Sequence, residues 1–141
     1  MPPAPSLWLE QLGPIEPGPP LAADIEVDVA IIGGGFTGLW TAYYLKTIEP
    51  RLSVALLEAE YCGFGASGRN GGWMMGSMEG EEAMLARLPS ADAAIYKGLM
   101  HGILGEVEQV LAAHSIDCDY VRGGGIFAAA RYPEQAASIQ R

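Results

Sequence analysis

Asp28-Val29-Ala30-Ile31-Ile32-Gly33-Gly34-Gly35-Phe36-Thr37-Gly38 decides the fold. Upstream of the glycines, residues 27–32 form a mostly β-branched apolar run, short enough for a strand buried on both faces. Gly33 to Gly35 end that run. From Phe36 to Ile48, Leu39, Ala42, Tyr43 and Leu45 recur near helical spacing until Pro50 stops the helix. Gly33, Gly35 and Gly38 therefore make a GxGxxG pattern in the context that gives it meaning, after a strand and at the opening of a helix. The first glycine permits the tight turn and the second admits a pyrophosphate beside the backbone. The third lets helix and strand pack closely. Unpaired amides at the helix start, with the positive end of its dipole, hold the phosphates.

Downstream, the aliphatic run 52–57 is a second strand that ends on Glu58. Strand, helix and strand within about 33 residues make a right-handed βαβ unit with parallel strands. The fold class is α/β, Rossmann-like, with the glycine turn and Glu58 at one carboxyl edge. Glu58 lies 20 residues beyond Gly38, where a carboxylate accepts hydrogen bonds from both ribose hydroxyls and repels a 2'-phosphate. Glu60 competes for that role. NADP is disfavoured, but NAD and FAD present the same ADP half to such a unit.

Outside the unit the chain is less regular. Seven of the ten prolines fall in the first twenty residues, so residues 1–24 read as an extended Pro-rich leader in which Trp8 and Leu9 pack on the domain surface. Residues 25–141 are the domain proper. Residues 61–80 carry seven glycines with Ser67, Arg69, Asn70 and Trp73 among them, without periodicity, and read as a long functional loop. An amphipathic helix is predicted over residues 91–115, with His101 and His114 on it as surface or structural histidines. Gly98, Gly102 and Gly105 weaken it and predict a close helix contact. Tyr120 with Val121, and residues 126–130, are short strand candidates, and Pro133 with Glu134 suits another helix start.

Charge and composition narrow the partners. Eight Lys plus Arg against seventeen Asp plus Glu leave a net charge of −9, which offers no basic surface to a nucleic acid. Cys62 and Cys118 lack metal-ligand spacing and read as reduced thiols of a cytoplasmic chain. The first basic residue is Lys46, so no signal-peptide n-region is expected. Residues 29–45 are uncharged but too short and glycine-broken for a membrane span.

The loop Gly63-Phe64-Gly65-Ala66-Ser67-Gly68-Arg69-Asn70-Gly71-Gly72, taken with the first motif, resembles the FAD-dependent amine and amino-acid oxidoreductases of the D-amino-acid oxidase superfamily. The likeness is nearest to the branch containing γ-glutamylputrescine oxidase. It implies an extended, noncovalently bound FAD, with its ribose on Glu58 and its pyrophosphate on Gly33, Gly34, Gly35, Phe36, Thr37 and Gly38. Ser67, Arg69, Asn70 and Gly71 would lie against the pyrophosphate and flavin side. Some members tether flavin through a loop histidine, and none stands between Cys62 and Trp73. Cys62 is a possible tether or a space-filling residue. Trp73, Met74, Met75 and Met78 are a flavin cover or plain loop packing. The implied reaction oxidises a C–N bond of an amine or amino acid by hydride transfer to flavin N5, followed by imine hydrolysis and flavin reoxidation.

Length bounds that implication. A chain of 141 residues amounts to about one domain, whereas such enzymes run to several hundred. Two confident strands cannot be covered on both faces or span a whole FAD. The expectation is an N-terminal fragment, inactive alone and limited to partial cofactor binding. An NAD-binding module of a dehydrogenase and a noncatalytic remnant are the alternative readings, and no catalytic side chain can be named.

Overall fold

Two four-residue aliphatic runs make the sheet. In the computed structural model, which describes residues 6–78, 80–126, 128, 131, 132 and 134, β1 (Val29–Ile32) pairs in parallel with β2 (Val54–Leu57). The register sets Val29 opposite Val54 and Ile32 opposite Leu57. Side-chain bonds pin its entry: Asp28 accepts from the Ser53 amide at 2.8 Å and hydroxyl at 2.7 Å, and the Asp28 amide donates to Ser53 Oγ at 2.9 Å. These bonds, the Ser53 hydroxyl's first, hold the Asp28 carboxyl below its ordinary range. At the exit the Gly33 amide donates to the Leu57 carbonyl at 2.8 Å, carrying the ladder into the glycine turn.

Helix α2 (Phe36–Ile48) connects the strands and packs on both. It ends before Pro50, with Glu49 outside the helical region at φ −132° and ψ 84°, away from the α conformation that a following proline disfavours. Lys46 donates to the Leu52 carbonyl at 2.7 Å and ties the helix end to the second strand's approach. The chain is thus an α/β, Rossmann-like βαβ unit with the expected helix bounds. Both strands are shorter at their starts than the aliphatic runs.

The chain divides into two compact units, Met1–Trp73 and Met74–Arg141. The first contains the βαβ unit, a 3-10 turn at Ala66–Gly68 and a short helix α1 (Leu7–Leu12). Helix α1 corrects the reading of an extended leader. Ser6 caps it by accepting from the Leu9 amide at 3.3 Å, a local bond that sits between flanking prolines and that proline density concealed.

The second unit holds α3 (Glu81–Leu85), which periodicity missed because it is only five residues long, and α4 (Ser90–Ala113). A Cβ added to Gly98, Gly102 or Gly105 meets nothing within 4 Å, so the close contact expected at these glycines is not found among the described residues. The close approach to α4 is made by Gly76, where a Cβ would lie 2.7 Å from the Met100 carbonyl oxygen. Tyr120 and Val121 form no strand. Tyr120 instead donates to Glu108 at 2.9 Å, alongside the 2.7 Å ion pair of Arg122 with the same carboxylate. Nor is Ile126 in a strand; Phe127, Ala129, Ala130 and the helix start proposed at Pro133 lie outside the described residues.

Burial departs most from the sequence reading. Strands of this composition predict burial on both faces, yet β1 alternates half-buried and exposed, with Ile32 80% exposed. Among the described residues no apolar side chain is buried, and the only buried residues are Gly34 and Gly38. One helix on a two-stranded sheet leaves the opposite face in water. A chain ordered by backbone contacts with so little apolar burial should unfold gradually. In urea the expected slope is below about 1 kcal/mol/M, under the range of small cooperative domains, with dye binding to exposed apolar surface at neutral pH. A single steep transition without dye binding contradicts the observed exposure.

Candidate functional site at the glycine turn

The turn between β1 and α2 exists because two positions lack side chains. Gly33 has φ +102°, a left-handed conformation that other residues rarely adopt. A Cβ on Gly38 would collide with the Gly33 carbonyl oxygen and lie 3.3 Å from Ile31 Cγ2. The helix can therefore start directly over the strand end. Gly35 occupies the N-cap with no side-chain capping bond, and the first turn contains no acid. Its leading amides lack intrahelical partners by geometry.

Two side chains from distant sequence supply acceptors to this turn. Glu58, just beyond β2, accepts from the Gly34 amide at 2.6 Å. Ser67, in the 3-10 turn, accepts through its hydroxyl from the Phe36 amide at 2.9 Å. The Gly63 amide donates to the Gly34 carbonyl at 2.9 Å, which laces the loop to the turn. The structure thus brings Gly33, Gly34, Gly35, Phe36, Thr37, Gly38, Glu58 and Ser67 to one edge. Cys62, weighed above as a tether or a space-filling residue, and Gly63 join them, neither having been assigned to the turn itself. A Cβ on Gly34 would lie 2.8 Å from Cys62 Sγ, and Gly63 has φ +84°, so the Cys-Gly pair before the loop was the signal available in sequence.

Arg69, Asn70 and Gly71 are held elsewhere. Arg69 Nε donates to the Phe64 carbonyl at 2.9 Å, with the guanidinium 5.5 Å from the Phe64 ring centre. Asn70 braces the loop from within: its side-chain amide donates to the Ser67 carbonyl at 2.7 Å, and its oxygen accepts from the Gly72 amide at 2.8 Å. Space around Gly71 is open. Trp73 is 79% exposed. His101 and His114 belong to the second unit, the first within α4 and the second at its C-cap. Cys62 and Cys118 are free and exposed. Among the described residues, no group of three or more His, Cys, Asp or Glu could hold a metal, and no helix is long and apolar enough to cross a membrane.

Glu58 is electrostatically prepared as an anion. The Gly34 amide, then that of Glu60 at 3.2 Å, hold its carboxyl below the ordinary value of 4.5 against a small opposing effect of burial. Glu60 thus supports Glu58 through its main chain. An ionised carboxylate has about four lone-pair sites. The Gly34, Glu60 and Ala59 amides take up three of them and leave capacity for one further hydroxyl donor.

The sequence that builds this turn is matched by known proteins. The FAD dependent oxidoreductase family, DAO, matches over residues 28–141. The chain belongs to this family. Relatives include gamma-glutamylputrescine oxidoreductase of Escherichia coli K12, 40% identical over 110 residues that cover 77% of this chain and 25% of the relative. A probable oxidoreductase, OrdL, of Haemophilus influenzae is 33% identical over 106 residues, covering 74% of this chain and 24% of the relative. Sarcosine oxidase subunit beta of Rhizobium meliloti is 54% identical over 43 residues, 30% of this chain and 10% of the relative. The chain spans about a quarter of the length of the first two relatives. No solved structure matches significantly.

Membership in the DAO family implies a flavin, and the donors at the turn suit its ADP portion. The Gly34 and Phe36 amides point at oxygen acceptors, those of Glu58 and Ser67, and the bare Gly34 and Gly35 let Cys62 and Ser67 approach the backbone closely.

Because the fold lowers the Glu58 pKa, the stabilisation from its ionised form is fully present above the ordinary glutamate value and is lost as pH falls through the lowered one. Carboxyl-resolved NMR titration should give Glu58 a midpoint below 4.5. Any stability advantage over Glu58→Gln should disappear in the same acid range. A midpoint at or above the ordinary value contradicts the Gly34 bond.

Proposed function

We propose that the first unit binds the ADP portion of a noncovalent FAD and that the whole protein oxidises the C–N bond of an amine or amino acid. The observation that carries the reading is the joint use of the glycine turn by Glu58 and Ser67, whose acceptors meet the Gly34 and Phe36 amides at 2.6 and 2.9 Å. Gly33 to Gly38 would offer main-chain donors to the pyrophosphate, with the positive end of α2 behind them. Glu58 would accept from a ribose hydroxyl. The Ser67 hydroxyl, which accepts from Phe36, retains its own proton for an anionic oxygen.

Arg69, Asn70 and Gly71 enter as the supports of that loop on its flavin side. When bound, the flavin supplies the redox chemistry by taking up the electron pair from the substrate bond. This chain's residues contribute position and fixed charge. An amine substrate class is supported by the names of two relatives, which specify γ-glutamylputrescine and sarcosine. An NAD-binding module has no need of a glycine loop that returns to the helix start, so the Ser67 contact favours FAD.

Equilibrium binding to the 141-residue chain tests the reading. FAD and ADP should bind, and acid precipitation should release all of the flavin. NADP should bind at least about tenfold more weakly, because its 2'-phosphate meets the Glu58 carboxylate. Glu58→Gln and Ser67→Ala should each weaken FAD about fivefold, the scale of one lost hydrogen bond. Equal affinity for NADP and FAD, or variants that bind like the parent, contradicts the assignment.

A further inference from the structure

Within the leader, Trp8 stands apart. Its neighbours Leu7 and Leu12 on the six-residue helix α1 are 60% and 72% exposed, whereas Trp8 is 38% exposed because it rests on the glycine loop. Its indole Nε1 donates to the Asn70 carbonyl at 2.7 Å, satisfying the one donor an indole has. A Cβ on Gly72 would lie 2.9 Å from the Trp8 ring, so the ring closes the loop's far end as well. Beside it, Ser6 caps α1 and donates from its hydroxyl to the Gly68 carbonyl at 2.9 Å.

These contacts lead directly to the glycine turn. Trp8 holds the Asn70 main chain, the Asn70 side chain holds the Ser67 carbonyl at 2.7 Å, and the Ser67 hydroxyl meets the Phe36 amide at 2.9 Å. Gly68, held by Ser6, is the residue after Ser67. The loop is thus fixed at two points just after Ser67, Gly68 and Asn70, by a segment more than sixty residues away in sequence.

Resting on the FAD reading above, we propose that Trp8 and Ser6 are positioning residues for the cofactor: α1 clamps the 67–72 loop so that Ser67 is presented to the first amide of α2. The clamp acts on the loop and makes no demand on the Glu58 side of the site. Its loss should therefore impair FAD and ADP, which share the diphosphate, more than adenosine, which reaches only the Glu58 side. A leader that merely tethered itself to the surface would, when released, leave the loop and this ratio unchanged.

The test uses Trp8→Phe, which keeps the ring but removes the donor, with Trp8→Ala and Ser6→Ala beside it, all in the 141-residue chain. Limited trypsin digestion reports on the free loop at the bond after Arg69, with Arg51 as an internal reference. Cutting at Arg69 should rise several-fold in the Trp8 variants while cutting at Arg51 holds. FAD and ADP affinity should each fall between about twofold and tenfold, as for one hydrogen bond, and adenosine affinity should fall less. Trp8→Phe added to Ser67→Ala should cost nothing further if Trp8 acts through Ser67.

Unchanged cutting at Arg69, unchanged FAD affinity, or equal loss of FAD and adenosine overturns the positioning role. If the parent chain binds neither FAD nor ADP, the nucleotide reading fails and takes this role with it. A parent that binds both, with Trp8 variants that match it, removes the Trp8 assignment alone.

Discussion

The bond from the Gly34 amide to the Glu58 carboxylate is the constraint on which the rest of the site depends. It forms only if β1 and β2 are parallel and in register, because then both strands deliver their ends to one edge. It also needs the left-handed Gly33 and the bare Gly38, which let α2 begin over the strand. Ser67 completes the arrangement by meeting the next exposed amide, two residues on. In a chain of net charge −9, the first turn of α2 carries no acidic side chain of its own, and Glu58 is the carboxylate that reaches the turn. That acid-free first turn is what an anionic ligand requires.

Order at this edge comes from backbone proximity rather than from apolar burial. The two buried residues are glycines of the turn, while aliphatic side chains around them remain half-exposed or exposed. Hydrogen bonds in such a setting each compete with water and contribute modestly. Several of them, converging from the leader, β2 and the loop, share the same few peptide units. A ligand that bridges those units would have strong leverage over the stability of the whole unit.

The βαβ unit was legible in sequence because its signals are local and mutually consistent. Strand composition, glycine spacing, the helix period and Pro50 all give the same bounds for α2, and Glu58 falls where the crossover requires an acid. Ser67 was singled out through family likeness, and the structure sets its hydroxyl on the Phe36 amide. What composition could not show was burial, since a β-branched run reads the same whether its faces are covered or wet. Helix α1 was hidden by prolines that flank it without interrupting it. The partners of Arg69 and Asn70 were out of reach because a glycine-rich loop has no period from which to read direction. Strand readings at Tyr120 and Val121 rested on residue type alone, and there the Tyr120 hydroxyl goes to Glu108 on α4.

Amide-resolved NMR of the 141-residue chain during titration with ADP addresses the central claim most directly. The account predicts that the largest shifts fall on Gly34, Gly35, Phe36 and Thr37, with the Glu58 carboxylate responding over the same range of ADP concentration. Shifts concentrated in α4, or a turn whose amides stay still while ADP binds, would contradict it.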